Sequence, residues 1–143
     1  MIRSIFKVSM MLFSALVMVS CISNHTATVV DTPPMDWSES VGLLFENKDS
    51  VSKVDVNLIV YYTVEAPDSA LLAVRVTSPD GYRAEDTVMC YLPKRRSMDY
   101  CEREIPYRRA TVLRHTGDYK IEFTPLDTLD GVWAVGVNTV TAN

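Results

Sequence analysis

From residue 41 onward, apolar and polar positions alternate with a period of two, the pattern of strands rather than helices. In "VDVNLIVYYTV" Val54, Val56, Leu58, Val60, Tyr62 and Val64 share one phase. Asp55, Asn57 and Thr63 share the other with Ile59 and Tyr61. Successive strand side chains point to opposite faces, so this segment has one fully apolar face and one mixed face. "ALLAVRVTS" repeats the habit with Leu72, Val74 and Val76, and "YKIEF" with Tyr119, Ile121 and Phe123. A further run covers Tyr82 to Leu92, and "GVWAVGVNTV" is mixed, as a strand covered on both faces would be. Between two of these runs, Ser78-Pro79-Asp80-Gly81 predicts a turn, because Pro fixes φ early and Gly supplies φ > 0 later. Gly117-Asp118 opens "YKIEF" with similar chemistry. Only "MDWSES" and "LDTLDG" suit a helical turn. Many short β-branched and aromatic strands at close spacing predict an all-β fold, an antiparallel, jelly-roll-like β-sandwich over residues 41–143.

Before residue 41 the pattern changes twice. Residues 1–20 carry two charges, Arg3 and Lys7, followed by "VSMMLFSALVMV". Twelve helical residues rise about 18 Å, short of the roughly 30 Å that a bilayer core demands. A basic start, a short apolar centre and a small residue before a cut make an export signal. Met18-Val19-Ser20-Cys21 fits the lipoprotein version, in which diacylglycerol is joined to the cysteine thiol before cleavage. An ordinary secretory signal and an uncleaved anchor helix are the alternatives. Cys21 is therefore the expected lipidation site, and several acyl chains would hold the protein stably on a membrane. Residues 21–40, polar and containing Pro33-Pro34, read as the lipidated cysteine and a flexible tether, in which Val29 and Val30 could still add to a sheet edge.

The full chain has 143 residues and a formal charge of −4, and loss of Arg3 and Lys7 with the signal makes it −6. That balance argues against nucleic acid as a partner. The expected location is the outer membrane of a Gram-negative envelope, and the lack of an acidic cluster after Cys21 favours its periplasmic side. Cys90 and Cys101 remain in an oxidising compartment, where they suit a disulfide across "CYLPKRRSMDYC"; two unpaired thiols on neighbouring strands are the alternative.

Catalytic patterns are sparse. His25 lies in the expected tether and His115 at a turn, and no P-loop, GxGxxG, HExxH or GxSxG occurs. Neither a metal site nor a cofactor is expected. Against the acidic average, residues 90–114 hold Lys94, Arg95, Arg96, Arg103, Arg108, Arg109 and Arg114. Lys94, Arg95, Arg96, Arg103, Arg108 and Arg109 are a candidate surface for an acidic protein or anionic glycan, since Arg suits planar carboxylates and phosphates. A solvated hairpin with its flanking strands explains the same residues. Tyr91, Tyr100 and Tyr107 read either as sugar-stacking platforms or as sheet residues.

The order of "W…LLFEN", "SPDGYRAEDT", "TGDYKIEF" and "LDGVWAVGV" resembles the gliding motility lipoprotein GldH family over roughly residues 31–141. Trp37, Phe45, Pro79-Asp80-Gly81, Asp86-Thr87, Gly117-Asp118-Tyr119 and Leu129-Asp130-Gly131-Val132 carry the likeness. The chain departs from that pattern in "VNLIVYYTVEAPDSALLAV" and in "TPLDTLD". The resemblance implies an envelope lipoprotein associated with the gliding machinery and its linked secretion, and it brings no catalytic residues. The expectation is a lipid-anchored, non-enzymatic β-sandwich that meets envelope proteins. The alternative is a glycan-binding lipoprotein on the same fold. Burial of both Trp37 and Trp133 would deprive that alternative of its best stacking platforms.

Overall fold

A computed structural model describes residues 25–95 and 99–142. Residues 1–20, Cys21 and Arg96, on which the signal, the lipidation and part of the basic cluster were expected, lie outside the described residues. Eight strands follow in chain order: β1 His25–Asp31, β2 Val41–Asn47, β3 Lys53–Thr63, β4 Ser69–Thr77, β5 Arg83–Tyr91, β6 Tyr100–Val112, β7 Gly117–Pro125 and β8 Val132–Thr141. They form two antiparallel four-stranded sheets, ordered β1-β8-β3-β6 and β2-β7-β4-β5. Only β4 and β5 are consecutive neighbours in one sheet, joined by the Ser78–Tyr82 turn; every other connection crosses between sheets. This is the eight-stranded jelly-roll arrangement.

The period-two pattern places the core. Val54, Val56, Leu58, Val60 and Tyr62 of β3 point inward beside Val132, Val135 and Val137 of β8. Facing them are Leu43 and Phe45 of β2, Leu72 and Val74 of β4, and Tyr119, Ile121 and Phe123 of β7. Each fully buried side chain of this kind contributes about 1.5–3 kcal/mol relative to exposure.

The sandwich has two unlike ends. One gathers the 48–52 and 113–116 loops, the Ser78–Tyr82 turn, the start of β1 and the end of β8, with Ala142 N–H donating to Lys53 O at 2.9 Å. This is called the loop end below. At the other, capped end, Trp37 is wholly buried and exchanges backbone hydrogen bonds of 3.0 and 2.9 Å with Leu129. The two segments suited to a helical turn, "MDWSES" and "LDTLDG", thus pair with each other as an isolated bridge. Gly131 permits this closure: its φ is +80°, and an added Cβ would lie 2.2 Å from Ala66 N.

Two expectations need correction. Residues 25–40 are not a tether: His25–Asp31 pairs with β8 along its length, and Trp37 belongs to the core. "HTATVVD" is too short and polar to stand out as a period, but β8 presents an unpaired edge that β1 covers. Cys90 and Cys101 are free thiols, not a disulfide. They sit on β5 and β6, outermost strands of opposite sheets, and both face inward. Facing sheets stand roughly 10 Å apart, whereas a disulfide requires Cα atoms about 4.4–6.8 Å apart.

Candidate functional site

The solvent face of the first sheet carries an aromatic group. Tyr61 on β3 pairs with Ala134 of β8, while Tyr62 pairs with Val132, so Trp133 is the extra residue of a bulge. A bulge re-aims its side chain, and here the indole meets two tyrosines. Trp133 lies 5.1 Å from the Tyr61 ring at 46° and 6.0 Å from the Tyr100 ring at 82°. Tyr100 is 69% exposed. Of the two tryptophans, then, Trp37 is fully buried, and Trp133 is partly buried.

Polar groups continue along the same face. Glu104 Oε1 accepts hydrogen bonds of 2.9 Å from Asn57 Nδ2 and from Asn138 Nδ2. Glu102 pairs across from Tyr61. Burial, with the Glu102 and Glu104 carboxylates, pushes the Tyr61 hydroxyl above its ordinary range, so it stays a neutral phenol and a donor. Trp133 Nε1 and Asn138 Oδ1 are both buried atoms with no protein partner. An unsatisfied buried polar atom costs about 1–3 kcal/mol.

The basic cluster does not gather on one patch. Lys94 pairs with Asp68 at 2.9 Å. Arg95 and Arg103 line a shallow hollow over Tyr62 with Tyr100 and Cys101. Arg109 is exposed. Arg108 is bound to Asp86 of β5 and lies 4.2 Å over the Tyr107 ring. Most of these residues belong to β6, the free edge of the first sheet, where charges, Pro106 and the irregular register around Val56 discourage edge-to-edge pairing with another chain.

Asp86 itself was missed as a partner from sequence. Its carboxylate accepts the Tyr107 hydroxyl at 2.6 Å and the Arg108 guanidinium, joining β5 to β6 across the open side of the sandwich. The Tyr107 bond, then Arg108, holds the Asp86 carboxyl below its ordinary range against the opposing effect of burial. Burial first, then Asp86, pushes the Tyr107 hydroxyl up. A signal existed: Ala84, Asp86, Val88 and Cys90 form the inward phase of β5, and Asp86 is its one charge.

At the loop end, Asp80 takes Ser78 Oγ on Oδ1 and His115 Nε2 on Oδ2, the latter at 3.3 Å. The carboxylate stands between hydroxyl and imidazole. A nucleophile relay places the imidazole in the middle, so these three residues do not form one. Among the described residues, no group of His, Cys, Asp and Glu is placed to hold a metal ion.

No family model and no curated protein matches the chain. Among solved structures, the infectious bursal disease virus Gx strain aligns with TM-score 0.45 at 8% identity, over 85% of this chain and 30% of that one. TmCBM61 in complex with β-1,4-galactotriose aligns with TM-score 0.41 at 14% identity, over 81% and 70%. The non-crystalline cellulose-specific carbohydrate-binding module CBM28 aligns with TM-score 0.42 at 16% identity, over 78% and 69%. The chain thus spans under a third of the viral protein and about seven-tenths of each module.

Proposed function

We propose that this chain is a non-catalytic glycan-binding domain, held in a bacterial envelope by lipids on Cys21. One observation carries the reading: a partly buried Trp133, flanked by Tyr61 and the exposed Tyr100, shares a sheet face with Asn57, Asn138 and Glu104. Aromatic rings offer an apolar surface to the C–H face of a sugar, while amides and carboxylates meet its hydroxyls. The aromatic group sits toward the capped end, away from the end where β1 begins, so an anchored domain would present it outward. The test is a microarray of bacterial and plant polysaccharides probed with the full chain in nanodiscs. Retention of a defined glycan, lost in Tyr100→Ala, is expected; a folded chain that retains no glycan overturns the reading.

A second reading keeps the anchor and makes the domain an accessory of gliding and its linked secretion. It is favoured by convergence of residues that carry the resemblance: a Cβ on Gly117 would touch Pro79, and Tyr119 stacks on Phe45. Cross-linking in the intact envelope would then capture gliding or secretion components through this end. Capture of neither would remove that reading.

A further inference from the structure

The sandwich is incompletely filled at its loop end. A cleft of about 420 Å³ opens between the sheets there, within the range of roughly 300–1,000 Å³ that houses small organic ligands. Its wall is apolar: Phe45, Val56, Val76, Ala84, Leu113 and Tyr119. Local geometry keeps it open. β6 loses register beside Val56, and Ala110 turns to φ 47°. Beyond the Tyr107 ring, the inward residues meeting across the gap are small, Val56 from one sheet and Val76 and Ala84 from the other. Phe45 and Tyr119 stack on each other at 5.4 Å as neighbours in one sheet rather than bridging the space.

The rim has a sign. Asp80 is satisfied by Ser78, Tyr82 N–H and His115, and Arg108 by Asp86. Arg114 also lines the cleft, is exposed, and makes no ion pair among the described residues. The charge left for a ligand is positive, and a guanidinium suits a carboxylate or phosphate. The chain path adds a source. His25 pairs with Val140, which pairs with Asp55, so β1 begins at this same end. Four residue steps from Cys21 span at most about 14 Å, so an anchor at Cys21 would keep the cleft close to the bilayer.

We propose that the cleft binds a single-chain anionic amphiphile drawn from the membrane, its aliphatic chain between the sheets and its head at Arg114. This is independent of glycan binding on the outer sheet face; only the source of the ligand rests on the anchor. The test uses the full chain in phosphatidylcholine nanodiscs with a diazirine-bearing palmitic acid, and maps photo-cross-links by peptide mass spectrometry. Labelling at Phe45, Val76, Ala84 or Leu113 is expected, falling at least tenfold in Ala84→Trp. Arg114→Glu, on an exposed loop, should cut labelling about fivefold while leaving that by the matching diazirine alcohol unchanged. Equal labelling by acid and alcohol in the unmodified chain, or labels confined to Val51 at a loop tip outside the cleft, would overturn the proposal. A Cys21→Ser chain that leaves the membrane fraction yet labels in the cleft would uphold the site and refute only the membrane as the source of its ligand.

Discussion

Tyr107 of β6 donates its hydroxyl to Asp86 of β5 at 2.6 Å, linking the free edge of one sheet to the free edge of the other. The jelly roll leaves these two strands unpaired on their outer sides, so side chains rather than a backbone ladder close this flank. A hydrogen bond to a charged acceptor contributes about 1.5–3 kcal/mol. The Asp86 side chain is 39% exposed, which reduces that to about 1–2 kcal/mol. Tyr107→Phe should therefore lower unfolding stability by about 1–2 kcal/mol in urea titration. An unchanged midpoint would show that the clasp contributes nothing.

Acid should weaken the fold in a defined window. Asp49 is held at about 2, below its ordinary 3.8, by the Ser52 side chain first and then the Ser52 and Val51 N–H groups. Asp80 is lowered chiefly by Ser78, and Asp86 chiefly by Tyr107. Groups with depressed folded values stabilise fully above their unfolded pKa and lose that contribution as pH falls through the folded one. Stability should thus be level above about pH 5 and decline from there toward pH 2. Asp49→Asn should make that acid limb shallower. A limb of unchanged steepness would argue against the Ser52 contacts.

The thiols should differ in reactivity. Burial pushes Cys90 up to about 11, leaving about one thiolate in a thousand at pH 8. Brief iodoacetamide treatment of the native chain should modify half-buried Cys101 and spare Cys90 until denaturant is added. Peptide mapping reads both sites. A Cys90–Cys101 disulfide in the unreduced map would contradict the described positions of β5 and β6.

Gly131 should not tolerate a side chain. At φ +80° a Cβ meets the backbone at Ala66, and the left-handed conformation alone costs about 1–2 kcal/mol for a non-glycine residue. Gly131→Ala should lose at least about 2 kcal/mol in the same titration, by undoing the junction that seats Trp37. Wild-type stability in that variant would mean the closure is looser than described.

Much of the fold was legible because burial on one sheet face imposes a period of two, as in Val54–Tyr62 and Tyr119–Phe123. The Ser78–Tyr82 turn was legible because proline and glycine act locally. Strand order was not, since only β4 and β5 are sequence neighbours in a sheet and the other pairings join distant segments. β1 and the Trp37–Leu129 bridge escaped for a related reason: each is extended because of its partner, not its own pattern. At the candidate site, Trp133 was visible as an aromatic residue, but its outward aim depends on a bulge that no local residue announces. Asp86 and Arg103 lie in the inward phases of edge strands, where a charge can reach solvent at the sandwich's open side.

The central claim is that the solvent face of the β1-β8-β3-β6 sheet binds a glycan through Trp133. The two tryptophans are well placed to test it, since Trp37 is fully buried and Trp133 only partly so. Acrylamide quenching of tryptophan emission should therefore report on Trp133. Titration with the oligosaccharide retained on the array should saturably protect that emission, and Trp133→Phe should abolish the response. Saturable glycan binding that leaves quenching unaltered would place the sugar elsewhere and contradict the account.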